Sequence, residues 1–278
     1  QNTMTFNFAK SSFWILIIAN SANVAQYLSQ LVLGRYLTVT DYGIYNAVNS
    51  LGVLVVAFIA AIPFIVSKYM IIYQDNHEFR NYLLNKIINF IYLSSFIILA
   101  ILFLFVEEIR TFLKIESLTP IYIFSVLIFL NMIYMLYDSI LQGLRMYVTH
   151  SVQGAILVFV RLLFIMLLIV YLSHSYNAAL LTHAFATVIV LVFIFHISSK
   201  KIRVVNKNIN IPRTIYNDMF RYSIPVMHTW GILILISHMD IPLVKHYFDE
   251  YQAGIYSSAS IIGKIGYFLP TVLLRAFF

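Results

Sequence analysis

The sequence predicts an all-α integral membrane protein: a polytopic bundle of about eight transmembrane helices, in which a first six-helix lobe is followed by the start of a second, repeated lobe. Three observations predict it. Hydrophobic residues make up 61% of the chain and charged residues 10%, against roughly a quarter charged in soluble domains. Stretches without Asp, Glu, Lys or Arg run from Ser11 to Gly34, Ile44 to Ser67, Ile87 to Val106, Ser117 to Tyr137 and Leu162 to Ser199, each long enough for the roughly 20 residues that cross a bilayer. The segment DYGIYNAVNSLG (Asp41 to Gly52) returns as QAGIYSSASIIG (Gln252 to Gly263).

The apolar pattern places spans at about 12–33, 44–67, 87–106, 118–141, 151–172, 177–197, 222–244 and 254–276. The first exceeds the usual signal-peptide core and lacks a small-x-small cleavage site, so it reads as a span. The run from Leu162 to Ser199 covers parts of two crossings, broken at Ser173-His-Ser-Tyr-Asn177. A β-barrel would show short alternating segments instead of these continuous runs. No cysteine is present, so disulfides and thiolate metal sites are excluded.

A cytoplasmic N-terminus puts Lys10, Lys68, Arg80, Lys86, Arg145, Lys200, Lys201, Arg203, Lys207, Arg213 and Arg221 on the cytoplasmic side, leaving Arg35, Arg110, Lys114 and Lys245 outside. That asymmetry orients the chain and explains the net charge of +7 without nucleic acid as a partner. The basic connection from Ser198 to Asn217 is the longest, reads as a topology determinant beside anionic headgroups, and divides the chain into 1–212, the N-terminal six-helix lobe, and 213–278, the first two helices of a C-terminal lobe.

Tyr36, Gly43, Ile44, Tyr45 and Gly52 match Tyr247, Gly254, Ile255, Tyr256 and Gly263 at one constant offset. Each copy joins an odd-numbered span to the next, and six spans separate the copies, so both face the same side. The pattern predicts two similar bundles related by an axis along the membrane normal, a transporter design. Two equal repeats would take on the order of 430 residues, so the second lobe is expected to be cut off after its second helix.

Polar groups on apolar helices must face protein or a water-filled cavity. Asn20, Asn23, Tyr27 and Gln30 share one face of span one, and Ser257, Ser260, Lys264, Tyr267 and Thr271 share one of span eight. Asn131, Asp138 and Gln142 form a similar stripe on span four. Cavity lining and helix-packing glue both fit such stripes. Arg161 and Lys264 each lie about ten residues into a span, roughly 15 Å deep and near the midplane. A cation there marks a substrate or ion pathway, or a structural ion pair with Asp138 or Asp240. Asp138 and Asp240 are candidate coupling-ion sites, whereas Arg275, near a span end, is placed to snorkel. The histidines lack an i, i+4 ligand pair, so no metal is expected. Pro63, Pro225 and Pro270 fall within spans as kinks or hinges. Without a G-x-x-x-x-G-K-[ST] loop or a recognisable Ser/His/Asp set, neither a nucleotide cofactor nor catalysis is indicated.

Three segments carry a family resemblance: LGRYLTVTDYGIYNAVNSL (Leu33 to Leu51), LQGLRMYVTHSVQGAILVFVRLLF (Leu141 to Phe164), and Arg221 to Pro270, which begins RYSIPVMHTWGILILISHMD. Together, and in this order, they resemble the polysaccharide transporters that flip lipid-linked oligosaccharides. That family belongs to the multidrug/oligosaccharidyl-lipid/polysaccharide (MOP, MATE-like) flippase superfamily. The resemblance implies twelve to fourteen helices in two lobes around a central cavity lined by the first two helices of each lobe. Gly34-Arg35, Asp41 and Gly43 would match the family's first outer loop; Gln142-Gly143 and Arg161 its fourth and fifth helices; Asp240 and Gly254 its seventh helix and the loop after it.

The expected function is movement of a polyprenyl-pyrophosphate sugar across the cell membrane by alternating access, for cell-surface polysaccharide such as O-antigen. Arg161 and Lys264 would bind pyrophosphate, with Asn20, Asn23, Gln30 and Ser260 on sugar hydroxyls. Expected partners are the lipid-linked oligosaccharide, membrane lipids, Na+ or H+ as coupling ion, and polysaccharide-assembly proteins. The alternatives are a multidrug cation antiporter of the same superfamily, which needs an acidic cavity, and a membrane-embedded glycan polymerase or ligase, which needs a catalytic extramembrane loop.

Overall fold

The computed structural model describes residues 2–57, 59, 61–199, 201, 209 and 211–277, with side-chain surroundings between Trp14 and Lys264. Among them there are helices and short connections and no strand. In the hydrocarbon of a bilayer only a helix satisfies its own backbone polar groups within one segment, so apolar runs of this length fold this way. The chain is a multi-pass membrane protein: six described helices are long and apolar enough to cross a bilayer, and up to seven if one bent pair counts as a span.

Helix α1 (Asn2–Tyr36) is followed by α2 (Val39–Ala57), whose first turn is capped by the Thr38 hydroxyl accepting from the Asp41 N–H at 3.1 Å. The expected second span is not continuous. Helix α3 (Ile62–Ile72) is bent 41° from α2. The Pro63 ring excludes the Ile59 carbonyl from a regular helical bond, and that carbonyl instead accepts from the Ile62 N–H at 3.0 Å.

Helix α4 (His77–Leu104) opens on an Asn76 cap, whose side chain accepts from the Phe79 N–H at 3.1 Å. Helix α5 (Val106–Leu113) is short and ends on Lys114 in the left-handed region. Helix α6 (Thr119–Gly143) begins with Pro120 in its first turn, where a missing N–H costs nothing. Helix α7 (Tyr147–Ile165) continues as a π-helical segment, Met166–Leu172, and α8 (Tyr176–Ser199) returns.

The basic connection from Ser198 to Asn217 lies largely outside the described residues. After it α9 (Arg213–His238) runs through Pro225. The expected seventh span, 222–244, is in fact shifted and divided: α9 starts earlier, stops at His238, and gives way to α10 (Asp240–Tyr247). Pro242 accounts for the stop, since its ring conflicts with the carbonyl four residues back, at His238. Helix α11 (Glu250–Phe277) follows; Pro270, Tyr267, Thr271 and Arg275 have side chains outside the described residues.

Alternating crossings give the bundle two ends. The Thr38 end carries the turns before α2, α6, α8 and α11; the Asn76 end carries those before α4 and α7. Two apolar clusters fill the interior. One, around Leu33, Tyr45, Phe124, Met132 and Ile165, joins α1, α2, α6 and α7; the other, around Val66, Leu84, Ile91, Leu136 and Val190, joins α3, α4, α6 and α8. Helix α2 packs against α11, α9 and α10 on its other side. That contact brings the two glycines of the repeat together: a Cβ on Gly43 would meet the Gly254 amide nitrogen at 2.8 Å, and one on Gly254 would overlap the Val39 carbonyl. Small residues let helix backbones approach this closely in a membrane.

Candidate functional site

A polar group forms where α10 starts and α11 passes it. Tyr256, Ser260 and Lys264 follow each other at four-residue spacing, so they project from one face of α11. All three converge on Asp240, the first residue of α10. The Ser260 hydroxyl donates to Asp240 Oδ2 at 2.8 Å and the Tyr256 phenol to the same oxygen at 3.3 Å. The Lys264 ammonium reaches Oδ1 at 3.4 Å. Within this chain both members of the ion pair are about one-quarter exposed.

Arg161 stands in a different setting. It is buried, with a relative exposure of 6%, between α7, α1 and α2. Its Nη2 donates to the Tyr45 phenol, and its Nη1 to Gln26 Oε1 at 3.5 Å. Its Nε is buried and has no hydrogen-bond partner among the described residues. Among the described residues no carboxylate forms an ion pair with it. Neither of its expected acidic partners is there: Asp240 holds Lys264, and Asp138 is engaged across the turn from α6 to α7. Asp138 Oδ1 lies 2.6 Å from His150 Nδ1 and accepts from the Gln153 amide, while Oδ2 accepts from Gln142 at 3.4 Å.

Of the remaining expected ligands, Gln30 accepts from the Tyr42 phenol at 3.2 Å, joining α1 to α2. Asn20 is exposed and donates to the Leu16 carbonyl at 2.8 Å, and Asn23 is exposed as well. The structure therefore gathers Lys264, Ser260 and Asp240 into one group, and places Arg161, Asp138, Gln30, Asn20 and Asn23 elsewhere. Between α2 and α9 lies an apolar groove of about 290 Å³ lined by Leu54, Ala57, Met227, Gly231 and Leu235, with His228 as its polar member.

Sequence reasoning missed the neutral partners. Tyr45 and Tyr256 occupy equivalent positions of the repeat, and each bonds the charged group of its own region: Tyr45 the Arg161 guanidinium, Tyr256 the Asp240 carboxylate. The repeat itself was the available signal. Also unforeseen is the fully buried Lys245, which reaches Glu250 at 2.9 Å and the Lys114 carbonyl at 3.3 Å. Beside it, His246 Nδ1 lies 2.7 Å from the Phe112 carbonyl, with its ring stacked on Phe112 at 4.5 Å. These contacts fasten α10 to α5 at the Thr38 end. At the Asn76 end Lys68 sits 3.7 Å over the Tyr222 ring, joining α3 to α9. Among the described residues no three His, Asp or Glu side chains converge as a metal site.

The chain matches a family model described as "Polysaccharide biosynthesis protein" over residues 8–267. No curated protein matches it significantly. Its fold resembles a MOP superfamily transporter from Pyrococcus furiosus, described as having a binding pocket of reverse polarity, at 12% identity and a TM-score of 0.65, over 96% of this chain and 68% of that one. It also resembles a point mutant of a MATE protein, at 13% identity and a TM-score of 0.69, over 96% of this chain and 63% of that one. A third likeness is to a multidrug resistance MATE transporter in an outward-facing conformation, at 13% identity and a TM-score of 0.61, over 96% and 62%. The chain thus spans 62% to 68% of the length of these structures. At such identities the likeness is one of fold.

Proposed function

The chain belongs to the polysaccharide biosynthesis protein family, and from that premise we propose that it is a membrane transporter of the MOP superfamily rather than an enzyme, and that it flips a lipid-linked oligosaccharide across the cell membrane. The physical problem is the headgroup. Moving even a carboxylate-sized ion from water into a medium of low dielectric constant costs on the order of 20 kcal/mol in the idealised limit. The carrier must therefore supply cations and donors while the polyprenyl tail stays in lipid.

The observation that carries this reading is the buried charge of Arg161, bonded only to the neutral Tyr45 and Gln26 among the described residues. A buried cation without a counter-ion favours an anion nearby. In this reading Arg161 supplies a positive field from within the first lobe, and Lys264, with its partly exposed ammonium, makes the direct contact with pyrophosphate. Ser260, Gln30, Asn20 and Asn23 are the candidate donors and acceptors for sugar hydroxyls. Residues 1–212 and 213–278 act as parts of two rocking lobes, the Thr38 end faces outside and the N-terminus the cytoplasm. Asp138 and Asp240 are candidate sites for a coupling H+ or Na+, and polysaccharide-assembly proteins are candidate partners. A multidrug cation carrier fits less well, because Asp240 is matched by Lys264 and Asp138 by His150.

The test is complementation of a strain lacking its own lipid-linked oligosaccharide flippase, using the gene at full length. Surface polysaccharide should return and the inward-facing lipid intermediate should fall. Arg161→Ala and Lys264→Ala should each lower transport by about tenfold or more, the scale of losing one buried charge contact. Normal transport by both variants, with normal insertion, would remove the assigned role.

A further inference from the structure

We propose that Asp240 is an internal stand-in for the substrate anion: an incoming pyrophosphate group displaces it from Lys264, and Asp240 takes up a proton as it is displaced. The inference rests on the reading of Lys264 as the pyrophosphate ligand and adds what must happen to its present partner.

The geometry favours exchange. The Lys264–Asp240 contact is the longest of the three at this carboxylate, 3.4 Å, and it is made to Oδ1, whereas Ser260 and Tyr256 both hold Oδ2. Lys264 can therefore leave without breaking the other two bonds. Acid and base also belong to different elements, Asp240 to α10 and Lys264 to α11, so they can separate when these helices shift. A bare, partly buried ammonium would be costly, and Asp240 lowers that cost until an anion arrives.

The proton balance follows from the charges. Before binding the pair is neutral. After binding, the phosphate oxygens accept from Lys264, and Asp240 keeps two neutral hydroxyl donors but no bonded cation. The carboxylate has then lost its counter-charge beside a phosphate anion, and the compensating proton moves from water to Asp240 Oδ1. The titratable groups facing Asp240 are Tyr256 and Lys264 from α11 and His238 from the end of α9. Among the described residues no charged side chain of α2 or α5, the other elements packed on α10, bonds it.

The experiment is calorimetric titration of the full chain in nanodiscs with inorganic pyrophosphate near neutral pH, repeated in two buffers of different ionisation enthalpy, which counts protons taken up. The probe's own protonation is common to all variants, so differences between variants report the protein. Asp240→Asn, which leaves Lys264 without its competitor, should bind about tenfold more tightly, a change of about 1.4 kcal/mol, and take up one proton fewer. His238→Gln should keep the wild-type proton count. An unchanged count in Asp240→Asn, weaker binding by it, or loss of uptake in His238→Gln overturns the exchange. Lys264→Ala separates the two levels. If it binds the probe as wild type does, the ligand role of Lys264 has failed and the exchange with it; if it loses binding while Asp240→Asn behaves as wild type, the exchange alone has failed. Short-chain polyprenyl pyrophosphate competing below the concentration of inorganic pyrophosphate identifies the lipid as the natural source of the group, and competition by the inorganic anion alone identifies the free ion.

Discussion

The two copies of the Gly-Ile-Tyr segment lie in unlike surroundings. In the first copy every residue from Tyr42 to Val48 is buried; Ile44 is 6% exposed and Tyr45 1%. In the second, Ile255 is 50% exposed and Tyr256 38%. Helices of the two lobes differ in the same sense: in its most apolar stretch α6 has 44% of its residues buried and α9 has 6%. The comparison separates two things that a repeat encodes. The motif fixes where the glycine and the tyrosine sit on a helix, and the glycines of both copies meet at one contact. Burial is conferred by whatever packs on the outside of that helix. The first tyrosine serves a buried cation, and the second serves a carboxylate.

Three pairs of substitutions would break or sharpen this comparison. The largest effect is expected at the contact the copies share. Gly254→Val puts side-chain atoms into the Val39 carbonyl and Gly43→Val into the Gly254 backbone; each should destabilise the folded protein by about 3 kcal/mol, the upper part of the overpacking range, read as a lowered unfolding midpoint in detergent. Equal, negligible effects would mean that α2 and α11 do not meet closely in the membrane. Next come the tyrosines. Tyr45→Phe leaves a buried guanidinium nitrogen short of a partner and should cost about 2 kcal/mol, whereas Tyr256→Phe, at a half-exposed site with Ser260 still bonded to Asp240, should stay within about 0.5 kcal/mol. Similar losses in both would show that exposure does not set their difference. The smallest pair is Gly52→Ala against Gly263→Ala. A Cβ on Gly52 meets the Phe124 ring at 3.1 Å, while one on Gly263 has no neighbour within 4 Å. The first should cost about 1 kcal/mol, and the second should stabilise by about 0.5 kcal/mol through helix propensity. The same midpoint measurement decides the signs.

Much of this was legible in the sequence, because uncharged runs of bilayer length leave the chain few alternatives to helices. The breaks were not. Pro63 and Pro242 coincide with the ends of helices and Pro225 lies inside a continuous one, and a proline alone does not say whether its lost bond is absorbed or ends the helix. Ser260 and Lys264 could be placed on one face from their spacing, and Asp240 was recognised as a partner candidate. The partners of Asp138 could not be found that way. His150 and Gln153 reach it across a turn in which Arg145 adopts a positive φ of 58°, and such a reversal fixes distances that helical spacing does not. Arg161 misled for a different reason: a charge suggests a search for the opposite charge, and the structure meets it with a phenol and an amide instead.

The meeting of Gly43 with Gly254 has a consequence beyond packing. In a symmetric dimer a residue on the axis faces its own copy, so a single mutation is felt twice. Here the repeat-equivalent glycines lie at one contact of a single chain, and each can change alone. Drift at Gly43 is vetoed by the backbone of Gly254, and drift at Gly254 by the backbone of Val39, four residues before Gly43, so each half constrains the other across one contact without a shared axis.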